Sequence, residues 1–391
     1  MSKYPTILVH GFMGWGEDDK LTKICRYWGT FGKDVPKYLR EQGYEIFVPS
    51  LGPFESAWDR SCELYAYIYG GTVDYGKVHS EKYGHERYGR TYPGVLKDLG
   101  TGKGHEKVNL VGHSFGGPTV REFSNILANG SREELDGTPA NEVSDFFKGG
   151  KAEYVHTVTT LTGCNNGTNL ASMFGKYGMN LGLGFLWSLI ALVGNTRGMQ
   201  VYDLYMDQWG LTQDPWSATD FHFTNPLKKM DSIIRYQKNI LDNTGREQAI
   251  EYTQQLNATM VESPNIYYFA RRGARSHEVG FGIHMPDKSA CFLAKATGII
   301  NGSFWRPMLT KQGFNRREWM PNDGVLNVMS QNSPQNHPAV DYVDGMEIKP
   351  GIWHNMPLEY KDHYTWCGLG EDKDTLYKYY LDLLHSFEEL K

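Results

Sequence analysis

Basic runs, clustered thiols and long unbroken apolar stretches are all scarce in this chain, and each shortage closes off a class of function. No run of Lys or Arg exceeds three residues, and 40 basic against 45 acidic side chains leave a formal net charge of −5. There is no electrostatic footprint for a phosphate backbone, and no nucleic-acid partner is expected. The five cysteines, Cys25, Cys62, Cys164, Cys291 and Cys367, lie far apart, show no C-x-x-C spacing and cannot all pair. They specify neither a disulfide framework nor a thiolate zinc ribbon. With 44 glycines and 17 prolines in 391 residues, the chain stays well under the roughly 25–30% that marks low-complexity sequence. Its most apolar stretch, Leu181 to Val193, is interrupted by Gly182, Gly184 and Ser188 and falls short of the roughly 20 residues of a membrane span. No transmembrane anchor is expected. The start, Met1-Ser2-Lys3-Tyr4-Pro5, runs straight into apolar residues with no room for a signal peptide. The expectation is an intracellular protein, or one whose signal peptide has been removed.

Aromatic rings, by contrast, are plentiful: 18 Phe, 10 Trp and 25 Tyr supply a large core. Thr6–Val9 reads as a short buried strand that stops at the loop His10-Gly11-Phe12-Met13-Gly14. A helix follows with Val35, Tyr38 and Leu39 at helical spacing, then Gly43, then a strand over Tyr44–Val48. Val108–Val111 predicts another strand, and Pro118–Ala128 a helix with Val120, Phe123 and Leu127 on one face and Gly130 after its end. Further strands are expected over Tyr154–Thr162 and Asn265–Ala270, and a closing helix over Leu376–Leu390. Strands alternating with helices predict an α/β fold with a mostly parallel central sheet.

Gly112-His113-Ser114-Phe115-Gly116 fits G-x-S-x-G directly between an apolar strand and a helix. That placement lifts a serine Oγ out of the sheet at a tight turn, which makes Ser114 a candidate nucleophile. A hydroxyl needs a base to take its proton, and the oxyanion formed on attack needs N–H donors. The Phe115 N–H at the helix start is one candidate donor. The Phe12 N–H, in the loop after the first strand, is the other, with His10 read as a structural residue holding that loop. The chain order Ser, acid, His points to Asp323 in Asn322-Asp323-Gly324-Val325, where the turn residues would hold a carboxylate at a strand end, with Asp341 and Asp344 as rivals. Among His337, His354, His363 and His385, the position of His363 just before the closing helix favours it as the base.

More of the chain then falls into place. Trp58-Asp59-Arg60-Ser61-Cys62-Glu63, Gly70-Gly71-Thr72-Val73-Asp74-Tyr75-Gly76, Gly84-His85 and Arg90-Thr91-Tyr92-Pro93-Gly94, with Asp207-Gln208-Trp209-Gly210-Leu211 and Asp362-His363, resemble the family I.5 bacterial lipases of Bacillus, Geobacillus and Staphylococcus. The resemblance spans nearly the whole chain. It implies an α/β-hydrolase fold as a single domain over 1–391, with a zinc-binding insertion at approximately 54–95 and a helical lid at approximately 164–242. It also implies secretion and triacylglycerol lipase activity, with Ser114, Asp323 and His363 as the triad. The expected partner is a lipid or other ester substrate at an oil–water interface. Alternatives are a carboxylesterase acting on short soluble or polymeric esters, and a catalytically silent lipid-binding protein.

Carried over residue by residue, the resemblance assigns a structural zinc to Asp59, His79, His85 and Asp242. Spacing alone would not have found it, because two histidines six positions apart match neither a helical turn nor a strand repeat. Two departures stand out. Thr365 and Gly370 occupy positions where relatives carry acidic calcium ligands, so calcium of the family type is not expected. Phe115 replaces the usual Gln or Met after the serine. The lid reading rests on Leu181, Phe185, Leu189 and Leu192, apolar positions that need cover in water.

Overall fold

Eleven strands form among the described residues of the computed structural model, which are 4–172, 202–210, 242–303 and 315–390. They are β1 (Thr6–Val9), β2 (Ile46–Phe47), β3 (Gly71–Asp74), β4 (Tyr88–Tyr92), β5 (Val108–His113), β6 (Val155–Leu161), β7 (Tyr267–Gly273), β8 (Ser276–Gly280), β9 (Ile283–Pro286), β10 (Ala339–Asp341) and β11 (Trp353–Glu359). Seven build one sheet in the order β10-β11-β7-β6-β5-β1-β2, and every pairing within it is parallel. Parallel strands are covered on both faces, and every residue of β1, β5 and β6 is accordingly buried. Inside the sheet, Thr157 Oγ1 of β6 donates to Asn109 Oδ1 of β5 at 3.0 Å. This is the α/β-hydrolase fold class.

The helices α1 (Val35–Glu41), α2 (Ala57–Tyr69), α3 (Lys77–Tyr83) and α4 (Gly116–Asn129) each start on a local signal. Asp34 accepts from the Lys37 N–H ahead of α1, and Ser56 from the Asp59 N–H ahead of α2, caps worth about 1 kcal/mol each. On α4, Val120, Phe123, Ile126 and Leu127 are buried against the sheet; Phe123→Ala would cost about 3–5 kcal/mol. The closing helix, Lys373–Glu388, buries Leu376, Tyr380, Leu383, Leu384 and Phe387 on the opposite face of the sheet.

Two expectations need revision. The strand expected over Tyr44–Val48 pairs only at Ile46 and Phe47, because beyond it the Val48 carbonyl accepts from Glu17 of a neighbouring loop at 3.2 Å. Asp323 does not end a strand of the sheet. It sits in a turn between the short helical segments Arg316–Trp319 and Val328–Gln331. The apolar positions Leu181, Phe185, Leu189 and Leu192 lie outside the described residues. Among the described residues no helix is long and apolar enough to cross a membrane.

The strand order places the site. From β1 the chain moves outward to β2, then returns to β5 on the other side of β1. At such a switch point the loops leaving the carboxyl ends of two adjacent strands diverge and open a crevice. The loop after β1 carries Phe12, and the turn after β5 carries Ser114.

Candidate active site and metal-binding cluster

The turn after β5 is steric in origin. A Cβ on Gly112 would lie 2.2 Å from Gly116 O, and one on Gly116 would lie 2.3 Å from Val9 O. Ser114 takes φ 57°, a left-handed conformation that costs a non-glycine residue about 1–3 kcal/mol. The turn is held by Ser114 N–H donating to Leu161 O at 3.0 Å and by Gly117 N–H donating to Ser114 O at 3.0 Å.

His363, in the loop between β11 and the closing helix, reaches this serine: its Nε2 lies 3.0 Å from Ser114 Oγ. Its Nδ1 lies 2.8 Å from Asp323 Oδ2, and its backbone N–H donates to Asp323 O at 2.8 Å. Because an ionised carboxylate only accepts, that contact puts the ring proton on Nδ1 and leaves Nε2 free to accept from the serine. Asp323 is itself fixed, its Oδ1 accepting from the Val325 and Leu326 N–H groups at 2.9 and 2.7 Å. Thr162 Oγ1 donates to Asp323 Oδ2. Thr162 was missed in the sequence. Its one local mark, φ 44° on a β-branched residue, is invisible without coordinates.

The other candidates lie elsewhere. His354 is buried in β11, bonded to Tyr268 O at 3.2 Å and accepting from Lys349 N–H at 3.4 Å. His337 pairs with Glu262 at 2.7 Å, and His385 is exposed on the closing helix. Asp341 and Asp344 are exposed as well.

His10 organises the loop after β1. Its Nε2 accepts from the Leu51 N–H at 3.2 Å, which leaves Nδ1 to donate to Gly11 O at 2.9 Å. Burial, reinforced by the Arg60 charge, pushes its pKa well below the usual value and keeps the ring neutral. Since a trans peptide sets N–H opposite to C=O, holding Gly11 O also aims the Phe12 N–H. Among the described residues neither the Phe12 nor the Phe115 N–H has a hydrogen-bond partner. Only glycine fits at 11, where a Cβ would lie 2.7 Å from Ser114 Cβ.

A second cluster forms from α2, α3 and a distant segment. Asp59 lies on α2 and His79 on α3. Left-handed Gly84 ends α3 and folds His85 back onto it, with Gly84 and His85 N–H both donating to Ser80 O. Asp242 arrives just ahead of the helix Thr244–Glu247. His79 Nε2 lies 3.1 Å from both Asp59 Oδ1 and Asp242 Oδ2. His85 Nε2 lies 3.6 Å from Asp242 Oδ2 and 4.0 Å from Asp59 Oδ1. Tetrahedral bonds of about 2.0–2.2 Å would set ligand atoms about 3.3–3.6 Å apart.

The hydrogen bonding fits an ion as well. His85 Nδ1 faces Glu86 O at 2.8 Å, so it carries the proton and turns the Nε2 lone pair toward two carboxylates. Buried His85 Nε2 and Asp59 Oδ1 make no hydrogen bond, an arrangement that a cation satisfies. Burial works against a charged His79, but Asp242 and Asp59 outweigh it and raise its pKa to about 10. Gln208 Nε2 donates to the outer oxygen of Asp59 at 3.0 Å, as residues behind a metal site do. These four side chains could hold a metal ion.

Known proteins share this architecture. A family described as "Lipase-like, C-terminal domain" matches residues 2–387. Lipase 2 of Staphylococcus aureus is 35% identical over 373 residues, which is 94% of this chain and 51% of that protein. The chain thus spans about half the length of the curated relatives it matches. The crystal structure of Staphylococcus hyicus lipase superposes with a TM-score of 0.83 at 30% identity, covering 99% of this chain and 96% of that one. Lipase 1 from Pelosinus fermentans gives 0.77 at 34% identity, with both chains covered completely. A match of this length in sequence and in structure makes the chain a member of the lipase-like C-terminal-domain family, of the I.5 type.

Proposed function

We propose that this chain is a serine ester hydrolase that cleaves lipid esters, a triacylglycerol lipase working through an acyl-enzyme. One observation carries the reading: Ser114 Oγ, His363 and Asp323 stand in hydrogen-bonded sequence at 3.0 and 2.8 Å. Ser114 Oγ attacks the ester carbonyl while His363 Nε2 takes its proton. The same proton then passes to the departing alcohol as the tetrahedral intermediate collapses. Water, deprotonated by His363, attacks the acyl group and releases the fatty acid. Asp323 stays ionised and stabilises the imidazolium formed in each half. The Phe12 and Phe115 N–H groups receive the oxyanion, and losing one such donor costs about 2.7–4 kcal/mol in the transition state.

The ion at Asp59, His79, His85 and Asp242 is proposed to be zinc, because imidazole and carboxylate donors in a tetrahedral set suit it. Four protein ligands close the site, so the metal would cross-link α2, α3 and the segment ahead of Thr244 and serve stability. The family resemblance supports action outside the cell.

Ser114→Ala tests the chemistry. Hydrolysis of a chromogenic ester is expected to drop by more than about a thousandfold with the fold intact, and activity within tenfold of the parent overturns the assignment. A profile over acyl chain lengths decides between lipase and carboxylesterase. Preference for long, emulsified esters supports the former, and preference for short soluble ones the latter.

A further inference from the structure

Tyr27 belongs to no motif, yet its hydroxyl sits where three segments meet. It accepts from the Gly11 N–H at 2.8 Å and lies 2.6 Å from His113 Nδ1. On the far side of the imidazole, His113 Nε2 lies 3.0 Å from the backbone oxygen of His363.

The proton positions in this chain follow from valence. A carbonyl oxygen can only accept, so His113 Nε2 carries a hydrogen and donates it to His363 O. In the neutral ring Nδ1 is then an acceptor, and Tyr27 must donate to it. That leaves a lone pair on Tyr27 Oη for the Gly11 N–H. The result runs in one direction, from the Gly11 N–H through Tyr27 and His113 to His363 O. Burial, and then the His363 charge, hold the His113 pKa well below its usual value, so the ring stays neutral while His363 is protonated during turnover. Burial likewise keeps the Tyr27 hydroxyl protonated.

We infer that Tyr27 and His113 are positioning residues that lock the loop carrying the Phe12 N–H to the loop carrying His363, on either side of Ser114. This rests on the serine-hydrolase reading above. Without the chain, the Gly11 N–H and His113 Nδ1 lose their shared partner. Among the described residues the other hydrogen-bonding contact of Nδ1 is the Cys367 thiol at 3.6 Å, a weak donor. The oxyanion donor and the base could then drift relative to one another, which harms the transition state more than the bound substrate.

Tyr27→Phe keeps the ring, which packs edge-on against Trp15 and Trp28 at centroid separations of 5.6 and 5.4 Å, and removes only the hydroxyl. On a short soluble ester, kcat is expected to fall about tenfold, less than the 10²–10³ for deleting a whole oxyanion donor. KM should stay within twofold. His113→Leu should lower kcat similarly, and His113→Gln, which can still donate toward His363 O, should recover part of the loss. Rates are referred to active sites titrated with a serine-directed phosphonate, so a poorly folded fraction lowers the site count and leaves kcat per site unaffected. The inference is overturned if kcat per site in Tyr27→Phe stays within twofold of the parent. It is also overturned if KM alone rises, or if His113→Gln is no better than His113→Leu. Ser114→Ala separates the two levels: its retained activity would sink the enzyme reading, whereas its loss beside an unaffected Tyr27→Phe would sink only this inference.

Discussion

Removing the metal proposed for Asp59, His79, His85 and Asp242 should cost this protein a large part of its stability before it costs catalytic rate. Asp59 and Asp242 are buried carboxylates facing the Nε2 atoms of His79 and His85 at 3.1–4.0 Å. An ion bound there joins segments 163 residues apart in the chain, the span from His79 to Asp242. A ligand that binds only the folded state stabilises it by RT ln(1 + [L]/Kd), about 4 kcal/mol at a thousandfold excess over Kd. That is a substantial share of the 5–15 kcal/mol typical of a folded domain. It is also well below the roughly 10–16 kcal/mol by which zinc holds a zinc finger together, and here a large sheet core persists without the metal. Chelation should therefore lower the melting temperature, by about 5 °C for a chain of this length, without unfolding the protein at 25 °C. Calorimetric scans with dipicolinate and with added zinc, alongside elemental analysis of protein purified without supplement, measure this. About one zinc per chain is expected, and His85→Ala should erase the difference between the scans. Protein free of metal on purification, or equal melting temperatures with chelator and with zinc, would refute the reasoning.

Three further outcomes are expected. Thr162→Val keeps β-branching at φ 44° but deletes the donor to Asp323 Oδ2; it should cost about 1.5–3 kcal/mol in denaturant unfolding, and unchanged stability would show that this hydroxyl matters little. His363→Ala should abolish hydrolysis while His354→Ala, altered at a buried strand position bonded to Tyr268 O, should keep kcat and lower stability; the reverse ranking in a chromogenic assay would move the base to His354. Burial raises the Glu122 pKa to about 7, only partly offset by Arg121. A carboxyl raised in the folded state contributes stability that is full below its unfolded pKa and lost as pH rises through the folded one. Unfolding free energy should accordingly fall between about pH 5 and 8 relative to Glu122→Gln, and parallel pH profiles for parent and variant would contradict this.

Much of the fold was legible because burial and steric exclusion act over short stretches of chain. A parallel strand covered on both faces needs consecutive apolar residues, and β1 and β5 read that way at once. The elbow demands glycine two positions before and after the serine because Gly112 and Gly116 meet backbone atoms at 2.2 and 2.3 Å. The same logic misjudged β2. Tyr44 and Val48 are buried, at 7% and 2% exposure, without belonging to a strand, since apolar burial selects the residues while hydrogen bonding to Glu17 ends the ladder.

The polar parts of the site follow a different rule: chain order and position pointed to Asp323 and His363, but nothing in composition or spacing gave a role to Thr162, Tyr27 or His113. Asp323, His363, Thr162, Tyr27 and His113 meet through one or two hydrogen bonds each between segments 40 to 250 residues apart. One donor facing one acceptor imposes no periodicity on the sequence around it. The spacing of His79 and His85 misled for a related reason: it matches no regular repeat because the left-handed turn at Gly84, not a helix or strand, brings the two rings together. A glycine between two histidines in an otherwise helical stretch therefore carries more information than the count of residues separating them. Once Gly84 is read as a reversal, His85 must return over the last turn of α3 toward His79, and the two carboxylates, Asp59 on α2 and Asp242 far along the chain, still depend on the tertiary fold.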